Sequence, residues 1–176
     1  MSDGLFYVLL PRFNMFSLTN LMEPARIANY LSAEDLYQKT YLSFDGPNIM
    51  SSNGMVVECQ MAPKQMARDD LIFIVGSWGA EHYANRKLFS WLRVQARNGV
   101  RICAVEMGAY ILARAGLLAQ RSATMHWSYL AGFQEQFPDV DVQEQLFTED
   151  GPILCCSGAT ALLRSLLSRV NFTMAR

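Results

Sequence analysis

Short solid blocks of apolar residues alternate along this chain with stretches in which apolar positions recur every three or four residues. The first pattern marks strands buried on both faces, the second amphipathic helices. Strands are predicted at residues 5–10, 40–44, 71–75, 101–105, 123–126 and 153–156, and at 140–147, where apolar and polar positions alternate. The clearest is 71–75, five apolar side chains between Asp70 and Gly76. Segment 50–57, with Ser52-Asn53-Gly54 inside it, predicts an antiparallel excursion or hairpin. A first helix is predicted after Ser17, read as its N-cap, with Leu18, Leu21, Met22, Ala25 and Ala28 on one face. A second covers 85–96, with Leu88, Trp91, Leu92 and Ala96 as its buried stripe and Asn98-Gly99 as its stop. Two more are predicted over 107–115, ended by Gly116, and 129–137, ended by Pro138. A closing helix aligns Leu162, Leu163, Leu166, Leu167 and Val170.

This order predicts a single α/β domain over residues 1–176, with a mostly parallel sheet and helices on both faces. Composition agrees with a packed domain: 51% of residues are hydrophobic and 18% charged. The net charge of −1 leaves no basic excess to hold phosphate backbones, so DNA binding by this chain alone is not expected. The apolar runs are too short to cross a bilayer, and Met1-Ser2-Asp3-Gly4 lacks a basic region before an apolar core. A cytoplasmic protein without a signal peptide is the expectation.

Cys59, Cys103, Cys155 and Cys156 form no disulfide framework and are expected to be buried reduced thiols. With only His82 and His126 and no Cys-x-x-Cys, no metal site is expected. No glycine-rich phosphate fingerprint is present, so no nucleotide cofactor is expected either.

In an open parallel sheet, ligands bind beyond the carboxyl ends of the strands. Three loops qualify: 11–16, 76–81 and the turn at Glu106. At the third, strand passes directly into helix, and Gly108 and Ala109 are small enough to permit a tight crossing. That is the layout of a nucleophile elbow, which presents one side chain at a helix N-terminus.

The segment 106–118, beginning Glu106-Met107-Gly108-Ala109-Tyr110, resembles the elbow of the PfpI-like, class I glutamine-amidotransferase-like superfamily. More narrowly, it resembles the N-terminal domain of AraC-type (GlxA-like) transcription regulators. The likeness continues through Ala123-Thr124-Met125-His126-Trp127, Phe137-Pro138-Asp139-Val140 and Ser157-Gly158-Ala159, and appears near the start at Glu23-Pro24-Ala25-Arg26. The resemblance implies a three-layer flavodoxin-like sandwich that senses a small metabolite. It also implies a homodimer and a C-terminal AraC-type DNA-binding domain, which this chain does not include.

Enzymes of that superfamily carry a cysteine at the elbow, where this chain has Glu106. A carboxylate is a poor substitute for a tuned thiolate, so no enzymatic activity is expected. The alternative is a PfpI-like amidase, glyoxalase or isonitrile hydratase working with Glu106. At a helix N-terminus the ionised carboxylate is favoured and can serve as counter-ion to a cationic ligand. The resemblance matches His126 to the family's elbow-proximal histidine and Glu23 to the glutamate that approaches the elbow, where it would form a like-charge pair with Glu106. His126 is otherwise a pocket-wall histidine bonded to backbone, and Glu23 a cap for polar groups under the loop.

Trp78 and Trp127 follow two of the strand ends, and an aromatic box around a carboxylate suits a quaternary ammonium. Phe13 and Phe16, at the first loop, read rather as packing residues. The ligand set is therefore Glu106, His126, Trp127, Trp78, Ser77 and Glu23. Backbone N–H groups of Gly76-Ser77-Trp78-Gly79 are candidates for an anionic group of the ligand, with Arg12 and Arg26 weaker ones. The family's regulators respond to arginine, carnitine and glycine betaine, so the resemblance implies a ligand of that class.

Overall fold

A computed structural model describes residues 3–63, 65–68 and 70–158. The closing helix predicted beyond residue 160 lies outside the described residues. The main sheet is built from β1 (Asp3–Leu9), β2 (Tyr37–Ser43), β5 (Gln60–Met61), β6 (Leu71–Val75), β7 (Arg101–Val105), β10 (Phe147–Asp150) and β11 (Ile153–Cys156). Between them run α1 (Met15–Ser32), the hairpin β3 (Asn48–Met50) and β4 (Val56–Glu58), α2 (Arg86–Arg97), α3 (Ala109–Arg114) and α4 (Leu130–Gln136). A small separate pair, β8 (Ser122–Ala123) and β9 (Asp141–Val142), flanks α4. The spatial order is β10-β11-β7-β6-β1-β2-β5, all parallel except β10 on β11.

Alternation along the central strands divides the core between the two faces of the sheet. On β6, Ile72 and Ile74 pack with Leu88 and Leu92 of α2, Ile111 and Leu112 of α3 and Phe133 of α4. Phe73 and Val75 point the other way and pack with Leu18, Leu21 and Ala25 of α1 and Ile49 of the hairpin. There the rings of Tyr7 and Phe73 stack with centroids 5.1 Å apart. The result is the three-layer α/β sandwich expected.

Four local expectations are corrected. The N-cap of α1 is Asn14, whose side chain accepts from the Phe16 and Ser17 N–H groups, so Ser17 lies inside the helix and is buried. Helical geometry after β7 begins with a 3₁₀ turn over Glu106–Gly108 before α3. The strand predicted at 123–126 reduces to Ser122–Ala123, paired outside the main sheet. The alternating segment 140–147 is not one strand: its start joins β9 and its end opens β10. The short edge strand β5 carries two exposed residues and no periodic signal to reveal it.

Candidate functional site

The parallel register aligns Val75 with Val105, so the loop after β6 and the turn after β7 leave the sheet side by side. The chain then folds back so tightly that only glycine fits. A Cβ on Gly108 would stand 2.5 Å from the Ile74 carbonyl oxygen, and one on Gly76 would stand 3.0 Å from the Gly108 nitrogen. Between them Glu106 adopts φ +53, a left-handed conformation that costs a residue with a side chain about 1–2 kcal/mol. Such a strained residue at a strand-to-helix crossing is the elbow anticipated from the sequence.

The Glu106 side chain is buried and held from the first turn of α1. Ser17 Oγ donates to Oε1, and Asn14 Nδ2 donates to the same oxygen at 3.0 Å. Asn14 thus caps α1 with its oxygen and binds the elbow with its nitrogen. Neither contact is visible in the sequence, which marks Asn14 and Ser17 only as two capping-type residues three positions apart.

Glu23 does not fill that place. Six residues beyond Ser17, it lies about 9 Å further along the helix axis and roughly 240° around it. Its carboxylate is bound by Arg26 at 2.7 Å, and that guanidinium holds its pKa below the usual carboxylate range. The like-charge pair with Glu106 is therefore replaced by two neutral donors. Arg26 is likewise engaged, and Arg12 is exposed.

The second loop is fixed from two sides. Gly79 N–H donates to the Glu81 carboxylate at 2.8 Å, so the loop already folds around an anion of its own. Arg114 of α3 donates to the carbonyls of Tyr83, at 2.6 Å, and Glu81. Ser77 is buried, while Trp78 is 63% exposed.

His126 and Trp127 belong to the segment after β8. His126 Nδ1 meets Ser128 Oγ at 2.8 Å and caps the 3₁₀ turn Trp127–Tyr129. Its ring stacks on Trp127 at 5.7 Å and meets Tyr129 edge-on at 6.3 Å. Trp127 is 75% exposed. The structure thus joins Ser77 and Trp78 to the elbow through Gly76, and groups His126 with Trp127. Phe13 is wholly buried, and Phe16 is exposed.

All four cysteines are free and buried. The pKa of Cys103 is raised well above the ordinary thiol value, first by a hydrogen bond with Cys156 and then by burial. Burial pushes Cys155 up to about 12 and Cys59 to about 11. A nucleophilic thiol needs the opposite shift. Among the described residues no cluster of His, Cys, Asp and Glu could hold a metal, and no helix is long and apolar enough to cross a membrane.

Residues 7–169 match the model of the DJ-1/PfpI family. The chain belongs to the DJ-1/PfpI family. Within it, the chain is 37% identical over 170 residues to the HTH-type transcriptional regulator CdhR of Pseudomonas aeruginosa, covering 97% of this chain and 50% of CdhR. It is 35% identical over 165 residues to the HTH-type transcriptional regulator GbdR of the same species, covering 94% of this chain and 45% of GbdR. The structure superposes on an AraC family transcriptional regulator from Pseudomonas putida with a TM-score of 0.81 and 26% identity, over 98% of this chain and 94% of that one. This DJ-1/PfpI chain spans about half the length of the curated regulators it matches.

Proposed function

We propose that this chain is the metabolite-sensing domain of an AraC-type transcription regulator, and that it binds its ligand without transforming it. One observation carries the reading. The elbow position is held by Glu106, whose carboxylate is tied to Ser17 and Asn14, while every thiol of the chain is buried in the fold. The kinship with full-length regulators supports the regulatory half of the proposal. DNA contact belongs to a domain outside this chain, and the protein works in the cytoplasm as a homodimer.

The ligand is a small quaternary ammonium or amino-acid-like molecule, of the kind represented by glycine betaine, carnitine and arginine. Glu106 supplies the negative charge, Trp78 and Trp127 ring faces for the cation, and Ser77, His126 and the loop over 76–79 polar contacts. Glu23 drops out of this set because Arg26 holds it.

A thermal-shift screen of betaines, carnitine, choline and basic amino acids tests the reading, since a ligand of the native state raises its stability by mass action. Titration calorimetry with the strongest hit then compares the chain with Glu106→Gln. Removing the charge is expected to weaken binding about tenfold or more, which corresponds to ~1.4 kcal/mol. Equal affinities would make Glu106 a purely structural residue and end the cation-sensor reading. Amidase, glyoxalase or hydratase turnover lost in Glu106→Gln would replace sensing with carboxylate catalysis.

A further inference from the structure

At the β5 edge of the main sheet, one face is left partly open. The parallel register sets Phe6 of β1 beside Thr40 of β2, and Leu42 of β2 beside Gln60 of β5, so these four side chains share that face. They form the floor of a cavity of about 380 Å³. The opposite wall comes from the connection between β5 and β6, through Pro63, Gln65 and Met66, and Asp70 completes the lining just before β6.

The cavity is preformed, because α2 holds that connection in place. The Trp91 indole N–H donates to the Pro63 carbonyl at 2.6 Å, and the buried Gln95 side chain accepts from the Met66 N–H at 3.2 Å. The connection then turns on Asp70. Its carboxylate accepts from the Ala67 N–H at 2.8 Å, and its own N–H donates to the Ala67 carbonyl at 3.2 Å.

Gly4 shapes one corner. A Cβ at that position would collide with both Asp70 Oδ1 and Phe6 Cε2, so carboxylate and ring crowd together into the space that a glycine leaves. Asp70 forms no ion pair with any described residue. The side chains of Thr40, Gln60 and Gln65 make no hydrogen bond to one either, so three polar groups converge on the cavity unengaged. A carboxylate beside an aromatic ring is the pair that holds an organic cation, and Leu42 and Met66 supply apolar walls for its body. None of the described lining residues is cationic, so a carboxylate on the ligand would meet no counter-ion there. The volume lies in the range of small-molecule sites.

We propose that this cavity is a second ligand site, for a small organic cation without a carboxylate. Its ammonium head lies against Asp70 and Phe6, and a hydroxyl or amide group reaches Thr40 and Gln60. The site is separate from the elbow: Asp70 and Gly76 flank opposite ends of β6, about 20 Å apart. It uses none of the residues assigned to the elbow, and it stands or falls independently of them.

Titration of the isotope-labelled chain with choline, followed by heteronuclear NMR at the amides of Phe6, Thr40 and Gln60, is the experiment. These amides are expected to shift saturably. The affinity they report should fall at least tenfold for the uncharged analogue in which carbon replaces the nitrogen, and for glycine betaine, which adds a carboxylate. Asp70→Asn should lower it at least tenfold as well, since the amide oxygen still accepts from Ala67 and only the charge is lost. Thr40→Phe, which fills the floor and keeps the carboxylate, is a second variant expected to abolish the shifts with an unchanged circular dichroism spectrum. The response should persist in Glu106→Gln. No saturable shift at these amides, or equal affinity in Asp70→Asn, would overturn the site. Shifts confined to residues 76–79 and 106 would also overturn it and leave the elbow reading standing. Saturable shifts at Thr40, with none at residues 76–79 for any cation of the thermal-shift screen, would uphold this site and end the elbow reading.

Discussion

The hydroxyl of Ser17 donates to the carboxylate of Glu106 across eighty-nine residues of sequence, so the first turn of α1 and the elbow form one structural unit. Ser17→Ala removes a donor to a buried carboxylate, and hydrogen bonds of that kind contribute about 1.5–3 kcal/mol. For a chain of this length, that is a fall in melting temperature of roughly 3–12 °C. Thr19, two residues on, bonds only to the exposed Met15 carbonyl, and Thr19→Ala should change stability by no more than about 0.5 kcal/mol. Urea and thermal unfolding of the two variants check the contrast. Equal losses would mean that Ser17 does not support the elbow.

Gly108 tests how tightly the elbow is closed. A methyl group there meets the Ile74 carbonyl oxygen at 2.5 Å, a backbone atom that moves only if β6 moves. Gly108→Ala is expected to cost on the order of 3 kcal/mol or to prevent folding, at the large end of single-substitution effects. Gly132, inside α4, has nothing within 4 Å of its would-be Cβ. There alanine should stabilise by about 0.5–1 kcal/mol through helix propensity. Chemical denaturation of both variants decides it, and a tolerated Gly108→Ala would show that the crossing is looser than its geometry.

What the sequence revealed and what it hid divide along physical lines. Strands β6 and β11, and β7 from Ile102 on, match their predicted bounds because a strand buried on both faces is an unbroken apolar block between polar or turn residues. The elbow was legible for a similar local reason, a strand ending with no spacer before small residues. The cap of α1 was misplaced because Asn14 and Ser17 are equally good capping types, and their roles are separated only by Glu106, which lies far off in sequence. Alternation at 140–147 misled because a period of two needs a neighbouring strand to bond with, and only its two ends find one. Glu23 was placed at the elbow by family resemblance alone, and helical geometry turns it to the Arg26 side.

The buried thiols predict a falling stability at alkaline pH. In the folded chain Cys155 titrates at about 12 and Cys103 well above the ordinary value of 9.0. The folded state therefore keeps protons that the unfolded state sheds. Their contribution is whole below about pH 9 and is lost as pH rises through the folded values, at up to ~1.4 kcal/mol per pH unit for each thiol. Tyr7, also raised by burial, adds to the loss only above its ordinary 10.0. Between pH 9 and 10 the slope of unfolding free energy belongs chiefly to the thiols, and Cys155→Val should make it shallower. An unchanged slope would locate the titration elsewhere.

The two exposed tryptophans separate a site that gathers at the strand ends from one confined to the elbow. Trp78 leaves β6 beside the elbow, Trp127 stacks on His126, and both are more than half exposed. Trp91 is anchored elsewhere, its indole N–H donating to the Pro63 carbonyl at 2.6 Å. If a cationic ligand sits between the first two rings, each loses contact with water on binding while Trp91 does not. Double Trp→Phe variants that leave one indole at a time make this measurable by acrylamide quenching. With the strongest hit of the thermal-shift screen at saturation, quenching should fall for the chains retaining Trp78 or Trp127 and stay constant for the one retaining Trp91. Protection of Trp78 alone would confine the ligand to the loop and elbow, and would remove His126 and Trp127 from the proposed site. Protection of neither would move the ligand away from the strand ends altogether, whatever its affinity.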